Sequence, residues 1–385
     1  MSSPKPDPVL FVVRALPYEA TGTPVVIRNL LHFLPKEHCY VLGRRPHPCK
    51  RLPKDVKQKM LQIPILYTKG HTFWKYFSII PGFLMGLWMI YRYNIKKIVG
   101  VFQDDASLML AYRLAMFFPQ LEFYPYFMDL YAEQKEGKEK QSVTAFQQEI
   151  FRRSKKVLVA NEGMKQYLDP LYTTTEFVTV PIISLAKAVN GDKPIKAEAT
   201  PFRIVFSGSV NEDRIEPLQV LTKAIAKDAR FQFIYLSSQT EDYLRKQAVF
   251  YDGFGLKYCK TTDELMQSLN EADLLYLPIR FTFPEKQKAQ MMTCFGAKVY
   301  DYMVAKTPML IHAPDYFFNY TYFEMHQAAF LLNTLDESKV IEKLEVLLTT
   351  ANGEEGRQMV KQSNQLAAEF KGEQVANLFR QTIGA

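Results

Sequence analysis

The stretch RIVFSGSVNEDRIEPLQVLTKAIAKDARFQFIYLS (residues 203–237) decides the predicted fold. It begins with a short apolar strand that ends in Ser-Gly, continues through an amphipathic helical pattern, and returns to a second apolar strand. Two strands joined by one helix are typical of a parallel sheet, because the chain has to cross one face of the sheet before it pairs again in the same direction. The sequence therefore predicts an α/β architecture.

The same alternation of short strands and longer helices continues on both sides of this stretch. The further strands are predicted at residues 8–13, 39–42, 95–102, 121–128, 157–160, 256–259, 273–278 and 308–313. Helical patterns separate them, and a last amphipathic helix is predicted from about residue 354 toward 380. This order of elements indicates doubly wound parallel sheets.

One polar, lysine-bearing segment interrupts the alternation and looks like a linker. With 385 residues, the chain is long enough for two domains at about 150 residues each. We therefore predict two Rossmann-like domains that face a central cleft. The predicted divisions are an N-terminal domain (1–182), a linker (183–202), a C-terminal domain (203–360) and a last helix (361–385) that crosses back to the first domain.

The composition excludes several classes of protein. Apolar residues make up 48% and charged residues 23%, which excludes a disordered, collagen-like or coiled-coil chain. The four cysteines (Cys39, Cys49, Cys259 and Cys294) are far apart, which excludes a disulfide scaffold and a zinc ribbon and suits a reducing cytosol. The N-terminal MSSPKPDP does not resemble a signal peptide, and no spacing of histidines and acids predicts a metal site.

A net charge of +8 points to an anionic partner. A nucleic acid, an anionic lipid and a diphosphate all fit this charge. Nucleic acid is the weakest of the three, because the basic residues are scattered and no nucleic-acid-binding motif is present.

Residues 76–91 (YFSIIPGFLMGLWMIY) carry no charge but are too few to span a bilayer, which needs about 20 residues. One interpretation is a buried helix of an α/β domain. The alternative is a helix that rests its aromatic face on a membrane surface. In that case basic residues nearby would face lipid phosphates, namely Lys96, Lys97, Arg51, Lys54, Lys57 and Lys59.

The turn after the strand at 203–208 carries small residues and an arginine. Ser207, Gly208 and Ser209 permit close approach of the backbone to a ligand, and Arg214 follows within reach. A guanidinium binds phosphate oxygens bidentately, so this turn is a candidate diphosphate site. An ordinary β-turn with a solvated arginine is the alternative.

A later helix start combines a glycine, a lysine and a carboxylate. Gly296 lets backbone N–H groups at a helix N-terminus meet an anion, and Lys298 adds positive charge there. Asp301 lies one turn further on, where a carboxylate can accept hydrogen bonds from sugar hydroxyls. The group predicts a nucleotide site, while Asp301 also fits a carboxylate that complements the helix dipole.

A first group of candidates in the N-terminal domain lies between its first strand and first helix. After Arg14, the loop Thr21-Gly22-Thr23 leads into the helix, where free N–H groups can hold a phosphate or a developing negative charge. A plain helix cap is the alternative.

A second group consists of carboxylates that follow the next two strands. Asp104 and Asp105 follow one of them, and Asp129 and Glu133 follow the other. Paired carboxylates suit acid–base catalysis or the binding of acceptor hydroxyls. Asp105 alternatively caps the helix that it precedes.

These segments resemble the GT-B glycosyltransferases, most closely the retaining family 4 group, over nearly the whole chain. LFVVRALPYEATGTPVVIRNLL (10–31) is similar to the family's first strand, glycine loop and first helix. MDLYAEQ (128–134) and VLVANEGMKQYL (157–168) are similar to two later segments. CFGAKVYDYMVAKTPMLI (294–311), with the residue before it, is similar to the donor-binding motif written Glu-x7-Glu.

The resemblance implies a donor site in the C-terminal domain. The second Glu of the motif falls on Asp301, which could still reach a ribose, and the first falls on Thr293, which carries no charge. The Phe-Gly pair that presents amides to phosphate is retained as Phe295-Gly296. In such enzymes an arginine and a lysine neutralise the leaving diphosphate.

The resemblance implies Arg214 for that arginine and Lys298, Lys286 or Lys288 for the lysine. It further implies transfer of a sugar from a nucleoside-diphosphate sugar to a glycan or lipid-linked acceptor, with retention and without a metal or other cofactor. The acceptor would lie on the N-terminal domain, with Asp104 and Asp105 at the cleft.

The same resemblance implies a bacterial protein of cell-surface polysaccharide or glycolipid synthesis, cytoplasmic or peripheral on the inner face of the membrane. Two rivals share the fold. One is a nucleotide-sugar 2-epimerase. The other is a non-catalytic nucleotide-sugar-binding protein, which is suggested by the uncharged Thr293 in place of the first Glu of the motif.

Overall fold

The structure, a computed structural model, describes residues 6–17, 22–44, 59–63, 79–102, 105–183, 185–186 and 200–384. The chain divides into two compact units. Unit 1 comprises Met1–Ser184 and Phe370–Ala385, and unit 2 comprises Leu185–Glu369.

Thirteen strands and fourteen α-helices alternate along the described residues. The strands are β1 (Val9–Ala15), β2 (Cys39–Arg44), β3 (Lys59–Ile63), β4 (Lys97–Phe102), β5 (Glu122–Phe127), β6 (Val157–Val159), β7 (Phe177–Thr179), β8 (Phe202–Ser207), β9 (Phe231–Leu236), β10 (Gly255–Lys257), β11 (Leu274–Pro278), β12 (Met309–His312) and β13 (Phe330–Leu332). The helices are α1 (Thr23–His32), α2 (Ile79–Tyr93), α3 (Asp105–Phe117), α4 (Gly137–Arg153), α5 (Glu162–Leu168), α6 (Glu212–Ile225), α7 (Glu241–Lys246), α8 (Thr262–Asn270), α9 (Glu285–Thr293), α10 (Ala297–Val304), α11 (Phe318–His326), α12 (Glu337–Thr350), α13 (Glu354–Ala367) and α14 (Gly372–Ile383).

Each unit is built on one parallel sheet. In unit 1 the strand order is β3-β2-β1-β4-β5-β6-β7, and in unit 2 it is β10-β9-β8-β11-β12-β13. The central strands are runs of apolar residues that are buried along nearly their whole length, as in β1, β4 and β11. Such runs are typical of parallel strands covered by helices on both faces. The predicted α/β, doubly wound architecture is confirmed.

The strand order reverses once in each sheet. The reversal lies between β1 and β4 in unit 1 and between β8 and β11 in unit 2. Connections leave such a pair of neighbouring strands in opposite directions, which opens a crevice at their carboxyl ends where ligands of open α/β sheets bind. Each unit therefore has one preferred place for a ligand.

The final helix belongs to unit 1 although it follows unit 2 in the chain. Helix α14 packs on α1, and the buried Phe379 ring stacks on Phe11 with the centroids 5.7 Å apart. Lys97 Nζ donates to the carbonyl oxygen of Gly384. The prediction of a single helix from about residue 354 toward 380 is wrong, because α13 ends at Ala367 and α14 begins at Gly372.

Three strands were not predicted: β3, β7 and β13. All three lie at an edge of their sheet and have only three to five residues. An edge strand pairs on one side only and is often short, so its sequence carries little of the apolar run that marks a central strand.

The uncharged segment at 76–91 is helical from Ile79 onward. One face of this helix is buried and the opposite face is exposed, so the helix is not buried throughout, and its contact with a membrane surface stays a prediction. The prediction that Lys97 faces lipid is wrong, because its buried side chain also pairs with Asp7 at 3.1 Å. Lys96 is exposed. Of the other predicted basic residues, Arg51, Lys54 and Lys57 and the side chain of Lys59 lie outside the described residues.

Candidate functional site

The candidate site of unit 2 lies where β8 and β11 end side by side. Ser207 is the last residue of β8 and Pro278 the last of β11, and the reversal of strand order falls between these two strands. Cationic side chains from α6 and α10 reach the two strand ends. The sheet thus provides the crevice and the following helices provide the charge.

Lys298 reaches the end of β8. Its Nζ donates to the carbonyl oxygen of Ser207 at 3.0 Å. Gly208, the next residue, has φ +127°, and a Cβ at that position would lie 1.5 Å from the Lys298 Nζ. Only glycine adopts this backbone conformation readily and also leaves the space that the ammonium group occupies. The predicted small-residue turn and the predicted lysine therefore form one structure.

The surroundings of Lys298 stabilise its charge poorly. Burial of the ammonium group and, to a lesser extent, the charge of the nearby Arg214 lower its pKa from 10.5 to about 8, while Asp301 opposes both. The residue as a whole is exposed, so the burial concerns the ammonium end against Gly208. A cation held beside another cation favours an anionic ligand.

Arg214 reaches the end of β11. Its guanidinium Nη1 donates to the carbonyl oxygen of Pro278, and the residue is half-buried. The loop that follows β11 is held on the same helix, because Glu216 Oε2 accepts from the backbone N–H groups of Phe281 at 2.8 Å and Thr282 at 2.9 Å. These contacts fix the arginine and the loop to each other.

Sequence reasoning missed Arg280, a second arginine beside this loop. Its side chain is 16% exposed and pairs with Asp213 at 3.8 Å between Nη1 and Oδ1. Its Nε is buried and has no hydrogen-bond partner among the described residues. The only signal in the sequence is its position two residues after the end of β11.

Tyr302 was also missed. Its hydroxyl accepts from the Ser207 N–H at 2.8 Å and donates to the carbonyl oxygen of Tyr276 at 3.3 Å. The side chain is fully buried. Because one hydroxyl joins the end of β8 to β11, it fixes the position of the turn that carries Gly208. A buried tyrosine in an apolar helical pattern gives no sequence signal for this role.

Helix α10 begins at the same place. Gly296 is its N-cap, no side chain caps the helix, and a Cβ on Gly296 would meet no described atom within 4 Å. Within the described residues no capping side chain accepts from the N–H groups of the first turn, an arrangement that suits anion binding. Asp301 lies in this helix, is half-buried, and acts on the pKa of Lys298 through its charge.

Not all predicted donor residues join this group. Thr293 is buried, and its hydroxyl donates to the carbonyl oxygen of Ala289 at 3.0 Å on its own helix. Phe295 is buried, and its ring contacts those of Phe318, Tyr322 and Phe323. Donor contacts by Thr293 and Phe295 stay predictions.

Three other candidates of unit 2 lie at its surface. Ser209 is exposed. Lys286 and Lys288 are exposed on α9, and Lys288 pairs with Glu285 at 3.9 Å. Of the three predicted lysines, Lys298 is the one that bonds to the end of β8.

In unit 1 the predicted loop residues follow β1. Arg14 is exposed near the end of that strand, Gly22 is the N-cap of α1 with φ +72°, and Thr23 begins the helix. No side chain of the described residues caps this helix. Thr21 lies outside the described residues.

The predicted carboxylates of unit 1 follow β4 and β5. Asp105 begins α3, Asp129 is exposed, and Asp104 lies outside the described residues. Lys135 has its pKa raised mainly by the bond to Glu139 and to a smaller extent by Asp105, so Asp105 has a cation nearby.

Glu133 takes part in a hydrogen-bond group behind these residues. Its Oε1 accepts from Gln147 Nε2 at 3.2 Å and from the Tyr172 hydroxyl at 3.3 Å, while its Oε2 is buried with no partner in the part of the chain that the structure describes. Burial, followed by the charge of Glu133, raises the pKa of Tyr172 to about 12.

Within the described part of the chain, no group of three or more His, Cys, Asp or Glu side chains could hold a metal ion. A bilayer-spanning helix, long and apolar enough to cross, is likewise absent from that part.

Comparison with known proteins identifies the fold. No protein-family profile matches the sequence, and no curated protein matches it. Among solved structures, sucrose-phosphate synthase from Thermosynechococcus elongatus is similar over 98% of this chain and 99% of its own, with a TM-score of 0.70 and 13% identity. The chain has the GT-B fold.

Two further GT-B structures match over a similar length. Trehalose 6-phosphate synthase from Burkholderia multivorans covers 98% of this chain and 96% of its own, with a TM-score of 0.67 and 10% identity. The Anabaena protein HepE, solved in complex with UDP and glucose, covers 98% and 99%, with a TM-score of 0.64 and 11% identity. At these identities the likeness establishes the GT-B fold and leaves the activity to be proposed.

Proposed function

We propose that this chain is a glycosyltransferase that takes its sugar from a nucleoside-diphosphate donor bound to unit 2. The observation that carries the proposal is the convergence of Lys298 and Arg214 on the adjacent ends of β8 and β11. The uncapped N-terminus of α10 lies in the same group. A diphosphate is the part of a nucleotide sugar that needs such charge, and UDP with glucose is the pair bound in the similar HepE structure.

The proposed role of these groups is to stabilise the leaving diphosphate. When the bond between sugar and phosphate breaks, negative charge grows on the departing oxygen. The ammonium of Lys298 and the guanidinium of Arg214 would neutralise it, and the first-turn N–H groups at Gly296 would donate to phosphate oxygens. Asp301 is proposed to accept hydrogen bonds from the ribose hydroxyls of the donor.

The acceptor belongs to the same proposal. We place a glycan or lipid-linked acceptor on unit 1, near Arg14, the loop Thr21–Thr23 and the carboxylates Asp104 and Asp105. Retention of configuration, membership of family 4, a metal-independent reaction and a role in cell-surface polysaccharide or glycolipid synthesis are proposed on the resemblance of the sequence motifs. A location in the cytoplasm, peripheral on the inner face of the membrane, completes the proposal.

One substitution tests the donor site. Arg214→Ala is expected to reduce sugar transfer by at least about a hundredfold, as loss of a preorganised charge in a transition state does. The matched control is Arg245→Ala, because Arg245 lies in the same unit but bonds to Glu241 and Asp252 on the exposed side of α7. Unchanged turnover in Arg214→Ala, with the fold intact by circular dichroism, would remove this arginine from the site.

Calorimetry with UDP and GDP, followed by product analysis with the matching nucleotide sugars, tests the function itself. Binding of neither nucleotide would reject the donor site. Formation of an epimer from the donor alone would establish the 2-epimerase instead.

A second candidate function has one observation in its favour. Thr293 replaces a carboxylate of the motif, and its hydroxyl turns back to its own helix, so it offers no charge to a donor sugar. A binding protein without transferase activity fits this substitution. Tight binding of a nucleotide sugar without turnover, restored to turnover in Thr293→Glu, would favour that function.

A further inference from the structure

Helix α2 in unit 1 exposes one apolar face. Ile80, Leu84, Trp88 and Tyr91 are between 50% and 74% exposed. At 3.6 residues per turn, positions separated by four, four and three residues fall within about 80° of each other around the helix. The opposite side of the helix is buried, so these four side chains form a single stripe facing away from the core.

The stripe continues onto the end of the next helix. Met116 and Phe117 of α3 are 48% and 59% exposed, and the Phe117 ring meets that of Phe83 with the centroids 5.6 Å apart. We call the four stripe residues together with Met116 and Phe117 the apolar patch. It holds six of the fifteen large apolar side chains that are exposed among the described residues. Such a concentration marks an interaction surface.

The exposed charges beside the patch are basic. Arg92, Lys96 and Arg113 are exposed, and Arg92 lies over the Tyr93 ring. The described residues from 79 to 117 include a single acid, Asp105, at the opposite end of α3 from Phe117. A patch with tryptophan and tyrosine, bordered by arginine and lysine, matches the boundary between lipid acyl chains and anionic headgroups.

We propose that the apolar patch docks on the surface of an anionic lipid bilayer. The helix has 15 residues, which is about 22 Å of helix and less than the roughly 30 Å of a hydrocarbon core. It would therefore lie in the plane of the membrane, with its apolar stripe among the acyl chains and its basic neighbours at the phosphates.

A second copy of this chain is a poorer occupant. A two-fold contact through the patch would bring Arg92, Lys96 and Arg113 of one copy toward the same residues of the other, with no described acid of α2 to offset them. A membrane carrying negative charge meets the same residues favourably.

This inference rests on the proposed function for its purpose, since a lipid-linked acceptor would be met at the membrane surface. The test is flotation of the full chain with vesicles of phosphatidylcholine containing about one third phosphatidylglycerol, at low salt. The variant carries Leu84→Gln and Trp88→Gln. Its control is Leu171→Gln, because Leu171 is equally exposed in unit 1 but is not part of the patch.

The double variant is expected to bind these vesicles at least about tenfold more weakly, because two large apolar side chains no longer leave water. Arg92→Gln is expected to weaken binding about fivefold on the anionic vesicles and to have no effect on pure phosphatidylcholine. Equal flotation of wild type and double variant would overturn the inference. So would a concentration-dependent dimer in sedimentation that the double variant abolishes.

Binding of UDP, measured on the same preparations, separates this inference from the proposed function. Flotation without UDP binding would support docking of the apolar patch on the membrane and reject the donor site. UDP binding by a chain that stays wholly in the soluble fraction would support the donor site and reject docking of the apolar patch on the membrane.

Discussion

We expect the protonation of Lys298 to control how tightly unit 2 holds a nucleoside diphosphate. In the ligand-free protein, burial and the charge of Arg214 lower its pKa from 10.5 to about 8, against the opposing effect of Asp301. A bound diphosphate places negative charge next to the ammonium group and raises the pKa toward its ordinary value. Binding above pH 8 would therefore take up a proton.

The sign and size of the effect follow from these two states. With a pKa of about 8, the cation that binds phosphate is almost fully present at about pH 7, is half lost at about pH 8 and is mostly lost at about pH 9. If the pKa is about 8 when free and returns to 10.5 when bound, UDP binds about tenfold more weakly at about pH 9 than at about pH 7.

Calorimetry of UDP binding across this range measures the effect, and repeating it in buffers of different ionisation enthalpy counts the protons. In Lys298→Met the affinity is expected to be lower and independent of pH. Lys288→Met serves as the control, since Lys288 is exposed and paired with Glu285. The same tenfold slope in Lys298→Met would refute the reasoning, and loss of the slope in Lys288→Met would assign it to that lysine.

Three further predictions concern neighbouring features. Gly208→Ala is expected to lower the melting temperature and UDP affinity together, because its Cβ would meet the lysine ammonium at 1.5 Å and the φ of +127° costs about 1–2 kcal/mol; unchanged UDP binding would contradict this. Tyr302→Phe is expected to cost about 1–3 kcal/mol in denaturant unfolding, because it leaves the Ser207 N–H buried without its partner; a change within error would contradict it. Phe379→Ala is expected to cost about 3–5 kcal/mol and the exposed neighbour Leu378→Ala far less, and equal losses would show that packing of the last helix on unit 1 does not depend on this ring.

The fold could be predicted because its signal is local and repeated. Each central strand is an apolar run followed by a helical pattern, as at Phe202–Ser207 and the helix Glu212–Ile225. The edge strands are shorter, so their signal is weaker, and Phe177–Thr179 is only three residues long. The break between Ala367 and Gly372 was missed because the amphipathic pattern runs on, although the two helices pack on different units.

The candidate site could be predicted where the type of a residue alone indicates its role. It could not be predicted where the role depends on a contact with a residue far away in the sequence. Ser-Gly at 207–208 and Lys298 were each recognisable, yet their contact joins residues 91 positions apart. Tyr302 was missed because its contribution is a hydroxyl bonded to Ser207, 95 positions away. Arg280 shows the same limit, since its pairing with Asp213 depends on two strands lying side by side.

His312 illustrates a different case. Histidine is often a catalytic residue, but this one has a structural role. The ring is fully buried between the Tyr276 hydroxyl at 2.7 Å and the Thr334 carbonyl at 2.6 Å. Burial lowers its pKa to about 4, so it is neutral at physiological pH. The ring links β12 to β11 through Tyr276 and to the loop after β13 through Thr334.

The return of helix Gly372–Ile383 to unit 1 sets the order in which the chain can finish folding. During synthesis N-terminal segments usually fold first, since they leave the ribosome first. Here the sheet of unit 1 is made early, but the helix that covers Phe11 and bonds to Lys97 is translated after the whole of unit 2. Unit 2 can therefore mature before unit 1, in which the apolar surface around Phe11 stays uncovered until the last helix has been made.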